Sequence, residues 1–156
     1  MTINLNKDII MNNDRIERAK ELARIAHLGQ RRKYSGEPYI NHPLRVYERA
    51  SKYEGITEDG KVAALLHDVV EDTNITLQLI LKEFGTRVSD IVNKLTKDGS
   101  INYDDYILNL GDSGDKDAII IKLADLQDNM SDLHEGKLLT RYKNAYTYLN
   151  KVLERL

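Results

Sequence analysis

The chain has 156 residues, 41% of them hydrophobic and 31% charged, which suits one globular domain with a core of its own. It contains no cysteine, so disulfides, thiolate metal sites and cysteine nucleophiles are excluded together, and any metal must be held by His, Asp or Glu. A net charge of -2 gives no general attraction for nucleic acid, and neither a leader-type run near Met1 nor a span-length apolar segment is visible, so the expectation is a soluble, cytoplasmic protein with no nucleic-acid or membrane partner.

Helical periodicity begins at Asp14. Ile16, Ala19, Leu22, Ala23 and Ala26 fall on one face, and Gly29 closes a helix of residues 14–28. Residues 30–43 carry Gly36, Pro38, Pro43 and the basic run Arg31-Arg32-Lys33, which is loop chemistry, and a connector of this length is suited to binding a ligand. Helices are predicted over 44–53, 57–71, 76–84 and 86–97, with Thr57, Thr76 and Thr86 as N-caps and Gly55 and Gly85 as breaks. A short helix at 101–110 is followed by Gly111-Asp112-Ser113-Gly114-Asp115, the segment best suited to mobility. Residues 116–130 include Ile119, Ile120, Ile121, Leu123 and Leu126 and are apolar around most of the circumference, as in a helix that crosses the core. In 136–156, Leu138, Tyr142, Ala145, Leu149 and Val152 recur at spacings of three and four, an amphipathic packing helix. With no alternation of strands and helices, no phosphate-binding loop and no repeat, the fold class is all-α, a single domain over 1–156 with its core at 14–133.

The chemistry concentrates in His67-Asp68-Val69-Val70-Glu71-Asp72, an imidazole and three carboxylates at the end of the apolar run Val62 to Leu66. Burying such groups requires pairing or a cation. On a helix His67 and Glu71 share a face, and consecutive residues such as His67 and Asp68 diverge by about 100°, so other segments must close a coordination sphere. His42, after the basic loop, and Asp125, a carboxylate in an apolar helix, can do so. The set His42, His67, Asp68 and Asp125 is mixed imidazole and carboxylate, suited to Mn²⁺, Fe²⁺ or Zn²⁺ with positions left open. Glu71 and Asp72 are then placed to act as a base or to orient water. Arg32 and Lys33 are suited to phosphates or to stacking on a base, more so than Arg31. His27 reads as a packing histidine and His134 as a surface one.

Three runs together carry a resemblance: Ala26-His27-Leu28-Gly29-Gln30-Arg31-Arg32-Lys33 through Asn41-His42-Pro43, then Leu66-His67-Asp68-Val69-Val70-Glu71-Asp72-Thr73, then Lys122-Leu123-Ala124-Asp125 to Asn129-Met130. In this order, and over roughly Ala19 to Leu133, they resemble the hydrolase domain of the RelA/SpoT alarmone enzymes, which belongs to the HD phosphohydrolases. The resemblance implies a compact helical HD-domain bundle in which His42, His67, Asp68 and Asp125 bind Mn²⁺ and Glu71 and Asp72 help generate the attacking hydroxide. Arg32 and Lys33 would hold the guanosine nucleotide, with Asn129 lining the pocket. The implied reaction removes the 3′-pyrophosphate of (p)ppGpp, giving GDP or GTP. Larger members add synthetase and regulatory domains, for which there is no room after Leu156, so a small hydrolase-only form is expected.

Two positions depart from the family pattern: Leu126 stands where an arginine is usual, and Asp128 where a histidine is usual. Tyr34 also reads as an insertion ahead of Ser35-Gly36. These changes leave NADPH or a (deoxy)nucleoside phosphate as alternative substrates of the same machinery. A non-catalytic module that binds a nucleotide or a partner protein is the alternative of a different class.

Overall fold

Asp14 opens the first helix by accepting the Glu17 backbone N–H at 3.2 Å, and α1 runs Arg15–Ala26. The computed structural model describes residues 14–156, so the reading of the segment that follows Met1 lies outside the described residues. Beyond α1 come α2 (Asn41–Ser51), α3 (Glu58–Leu66), α4 (Val69–Asp72), α5 (Leu77–Phe84), α6 (Thr86–Leu95), α7 (Tyr103–Asp112), α8 (Lys116–Ser131) and α9 (Lys137–Glu154). Among the described residues the only β pairing is an isolated bridge between Arg31 and Pro38, inside the basic loop. The all-α expectation holds, and no described helix is long and apolar enough to cross a membrane.

Local chemistry sets most boundaries. Thr57 and Thr76 cap α3 and α5 by accepting Gly60 N–H at 3.0 Å and Leu79 N–H at 3.2 Å, as predicted. Thr86 does not cap α6. Gly85, at φ 95°, takes the N-cap position, and Thr86 is the first helical residue. α2 starts at Asn41, three residues before the predicted 44, because Pro43 falls in the first turn, where a missing N–H costs nothing. His42 therefore sits on a helix and not in the loop.

The predicted 57–71 helix is two helices. His67 Nδ1 donates to Ala64 O at 2.7 Å, claiming the carbonyl that the Asp68 N–H would use in a continuing helix, and α4 resumes only at Val69. The segment 111–115 is not loose either: α7 extends through Asp112, and the buried Asp115 is held by Arg87 and by Lys94 Nζ at 2.9 Å.

α8 is the axis of the molecule. It packs against α2, α3, α6, α7 and α9, and Ile119, Ile120, Ile121, Leu123, Ala124 and Leu126 are all fully buried. A helix wrapped on so many sides must be apolar all round, which is why its sequence lacks a polar stripe. α9 covers it from outside through Leu139, Ala145 and Leu149. Consequently Asp125, halfway along the core helix, is 5% exposed and faces α2 and the α3–α4 break, the two elements that carry the other candidate ligands.

Candidate metal centre and active site

Three segments converge where the α3–α4 break meets α2 and α8. His42 Nε2 lies 2.9 Å from Asp125 Oδ1 and 3.4 Å from Asp68 Oδ2, and His67 Nε2 lies 3.0 Å from Asp68 Oδ2 and 3.4 Å from Asp125 Oδ1. All four predicted ligands thus offer one atom each within 4.8 Å of one another. Ligand atoms about 2.1 Å from a divalent ion lie roughly 3 Å apart at right angles and roughly 3.4 Å apart at tetrahedral angles, so the spacing fits a single ion. The break in the helix matters here, since it turns His67 and Asp68, adjacent in sequence, toward the same point.

The donors are held by further hydrogen bonds. His67 gives its Nδ1–H to a backbone carbonyl, which can only accept, so Nε2 is the nitrogen turned toward the cluster and the one left to ligate. Tyr39 OH donates to Asp68 Oδ2 at 2.6 Å, and Lys122 Nζ donates to Asp125 Oδ2 at 2.8 Å. The Lys122–Asp125 ion pair does not compete with ligation, because the other carboxylate oxygen points at the imidazoles. Burial opposes a charge on His42, but hydrogen bonds to Asp125, Asp128 and Asp68 outweigh it and raise the pKa to about 9. Burial likewise resists charge on Asp125, yet Lys122 and the two imidazoles hold its pKa well below the ordinary carboxylate range. The carboxylates that draw protons to these nitrogens draw a cation by the same field.

A cavity of about 270 Å³ opens over the cluster, lined by the four donors, Glu71, Asp72, Lys97, Lys122, Tyr103 and others. Glu71 and Asp72 stand at its mouth. Glu71 Oε1 accepts the Lys97 backbone N–H at 2.7 Å, and Asp72 Oδ2 lies 3.3 Å from Tyr39 OH. Desolvation by the surrounding protein, helped by the Asp68 charge, raises the pKa of both carboxyls above the usual value.

A second cavity, about 280 Å³, adjoins the first and shares Tyr39, Asn129 and Tyr142 with it. Arg32 and Lys33 line it, as do Tyr34 and Asp132. The Arg32 guanidinium is fixed by Asn129 Oδ1 at 3.1 Å and Asp132 Oδ2 at 2.9 Å, and it lies 5.8 Å from the Tyr39 ring centroid. Its Nε is buried with no hydrogen-bond partner among the described residues. Arg31 is turned away and spends its guanidinium on Gly36 O at 2.8 Å. The nine predicted site residues are therefore distributed over two joined compartments, one acidic and one basic. A larger groove of about 880 Å³ between α7 and α9 contains none of them.

Comparison with known proteins gives the family and a matching fold. Residues 19–105 match the HD domain family. The chain is 36% identical to guanosine-3′,5′-bis(diphosphate) 3′-pyrophosphohydrolase MESH1 of Drosophila melanogaster over 146 residues, covering 87% of this chain and 81% of the fly protein. The chain belongs to the HD-domain family. It is also 40% identical to a guanosine-3′,5′-bis(diphosphate) 3′-pyrophosphohydrolase of Aquifex aeolicus, covering 77% of this chain but only 18% of that much longer protein. A solved structure of a metazoan ortholog of SpoT that hydrolyzes ppGpp superposes with a TM-score of 0.69 at 31% identity, covering 90% of this chain and 84% of that one.

Within this HD domain, three contributors escape sequence reasoning. Tyr39 reaches Asp68 across the fold, Lys97 presents a backbone N–H to Glu71, and Tyr103 brings to the acidic cavity a buried hydroxyl with no partner among the described residues. No periodicity or spacing marks them, since each depends on how α2, α6 and α7 pack around α8. The two departures also resolve differently from their common reading as changes at the substrate. Leu126 is fully buried and lines neither cavity, whereas Asp128 lies behind His42.

Proposed function

We propose that this chain is a divalent-metal-dependent pyrophosphohydrolase of (p)ppGpp that works as one domain in the cytoplasm, with Mn²⁺ as its ion. The observation that carries this reading is the joined pair of compartments, in which four convergent donors stand beside a basic cavity holding a buried, unpartnered guanidinium nitrogen. Relatives that match most of this chain and are named for the same reaction support it. The donor set also supports the ion: imidazole and carboxylate without thiolate is hard-to-borderline ligation.

His42, His67, Asp68 and Asp125 would hold the ion. When bound, it supplies Lewis acidity toward phosphoryl oxygen and water. The remaining work belongs to side chains. Arg32, steadied by Asn129 and Asp132, and Lys33 hold the guanosine half in the basic cavity, and the free Arg32 Nε donates to it. That placement leaves the 3′-pyrophosphate over the acidic cavity, where Lys97, Lys122 and the Tyr103 hydroxyl offset its charge. Glu71, with Asp72 beside it, takes a proton from the attacking water. Water adds to the phosphorus bonded to the ribose 3′ oxygen, that P–O bond breaks, and the 3′ oxygen leaves to be protonated, giving GDP or GTP and pyrophosphate.

The test is turnover of ppGpp, pppGpp, NADPH and a set of (deoxy)nucleoside triphosphates by Mn²⁺-loaded protein, with Asp68→Ala as the control. Release of pyrophosphate from ppGpp and pppGpp, lost in the variant, is the expected result. Turnover of NADPH or of deoxynucleotides alone contradicts the alarmone substrate, and nucleotide binding with no turnover contradicts an enzyme.

A further inference from the structure

Asp128 is a departure from the family pattern that the proposed reaction leaves unused, and it is fully buried. Its Oδ2 accepts His42 Nδ1–H at 2.6 Å, and its Oδ1 accepts Arg45 Nε–H at 2.6 Å, with Arg45 Nη2 3.2 Å from Oδ2. Arg45 is itself gripped by both oxygens of Glu37, and Arg32 Nη2 stands 3.6 Å from Asp128 Oδ2. A buried carboxylate is tolerable only when matched in this way. The far side of the same imidazole, Nε2, faces Asp125 Oδ1 at 2.9 Å. One ring therefore spans from Asp128 to the donor cluster, held at both ends.

We propose that Asp128 is a positioning residue of the metal centre: it holds His42 in the tautomer with Nδ1 protonated and Nε2 bare toward the cation, and the Glu37–Arg45 pair fixes Asp128 in turn. The proposal rests on the metal-centre reading above. A carboxylate that accepts the distal N–H of a ligating imidazole orients the ring and makes the ligating nitrogen more basic, and losing such a partner costs about 10–100-fold in metal affinity or activity. The two histidines solve one problem in different ways. His67 is fixed by the Ala64 carbonyl, which no side-chain substitution removes, whereas the support of His42 resides in a single replaceable side chain.

Calorimetric titration of the full chain with Mn²⁺, together with the visible absorption bands of the Co²⁺-loaded protein, tests the proposal on wild type, Asp128→Asn, Asp128→Ala and Asp115→Asn. Asp115→Asn disturbs a buried ion-paired carboxylate that lines neither cavity, and it reports what lost stability alone does. The expected result is Mn²⁺ affinity lowered about 10-fold in Asp128→Asn and up to about 100-fold in Asp128→Ala. The Co²⁺ bands should shift in both, and Asp115→Asn should show a lower melting temperature but wild-type affinity and bands. Where Asp128→Ala does not fold, the isosteric amide variant carries the comparison. Wild-type affinity and bands in Asp128→Asn overturn the positioning role and leave the metal centre standing, and an equal loss in Asp115→Asn also overturns it. Wild-type protein that binds neither ion overturns both readings at once.

Discussion

Asp68 and Glu71 occupy one turn of sequence but are tuned in opposite directions by their surroundings. Asp68 is half-buried, and its desolvation opposes the charge, but His67 and His42 hold its pKa well below the ordinary range, so it is an anion at any working pH. Glu71 reaches the cavity mouth, and desolvation raises its pKa. A pair of carboxyls pushed apart in this way divides into a permanent ligand and a proton acceptor. Glu71→Gln is therefore expected to lower kcat by about 10²–10⁴-fold while Mn²⁺ affinity, measured by titration, stays at the wild-type value. The base must be deprotonated to act, so wild-type activity falls as pH drops through the raised Glu71 pKa. A pH–rate profile should show this acid limb above the ordinary carboxylate range and should lose it in Glu71→Gln. The identities of these residues are legible in sequence because imidazole and carboxylate in an apolar run have few other uses. Their division into ligands and a water-handling pair is an expectation of the sequence too, but the contacts that tune it are not, because Tyr39, Lys97 and Asp128 are delivered by packing from elsewhere.

At the scale of elements, the helix junctions carry consequences of their own. Asp115 caps α8 by accepting Ala118 N–H at 3.1 Å and forms ion pairs with Arg87 and Lys94. Burial resists its charge, but the bonds from Arg87 and Lys94 win and depress its pKa. Its contribution to stability is thus complete above the ordinary aspartate pKa and is lost as pH falls toward the depressed folded-state value. Asp115→Ala should destabilise by on the order of 2 kcal/mol at pH 7, the loss of a cap plus partly exposed ion pairs. The difference from wild type in urea melts should shrink as the pH is taken below 4. Gly60 belongs to the same junction: a Cβ there would stand 2.7 Å from Asp117 Oδ1, the atom that accepts Thr57 N–H, and 2.8 Å from Ile56 Cδ1. Gly60→Ala should cost about 1–3 kcal/mol by urea melt. The Thr57 and Thr76 caps and the core periodicity are readable in the sequence because they are local, whereas Thr86 yields its cap position to Gly85. The α3–α4 break is not readable, since the apolar pattern runs straight through it and only the His67 side chain's claim on Ala64 O ends the helix.

At the scale of the whole molecule, α8 places Asp125 in the core while α2 and the α3–α4 break bring His42, His67 and Asp68 to it, so the centre ties together elements distant in sequence. An ion bound there stabilises only the folded chain. Mn²⁺ at 100 times its Kd should add about 2.7 kcal/mol, a rise in Tm of roughly 5–10 °C for a domain of this size, and Asp125→Ala should abolish the rise. The order of motifs predicted this convergence, although the junction between acidic and basic cavities, formed by Tyr39, Asn129 and Tyr142, emerges only from the fold. The most direct measurement is anomalous diffraction at the manganese edge from crystals grown with Mn²⁺. One strong peak is expected among His42 Nε2, His67 Nε2, Asp68 Oδ2 and Asp125 Oδ1, and a peak held by other side chains, or none at this point, would rule out this metal centre.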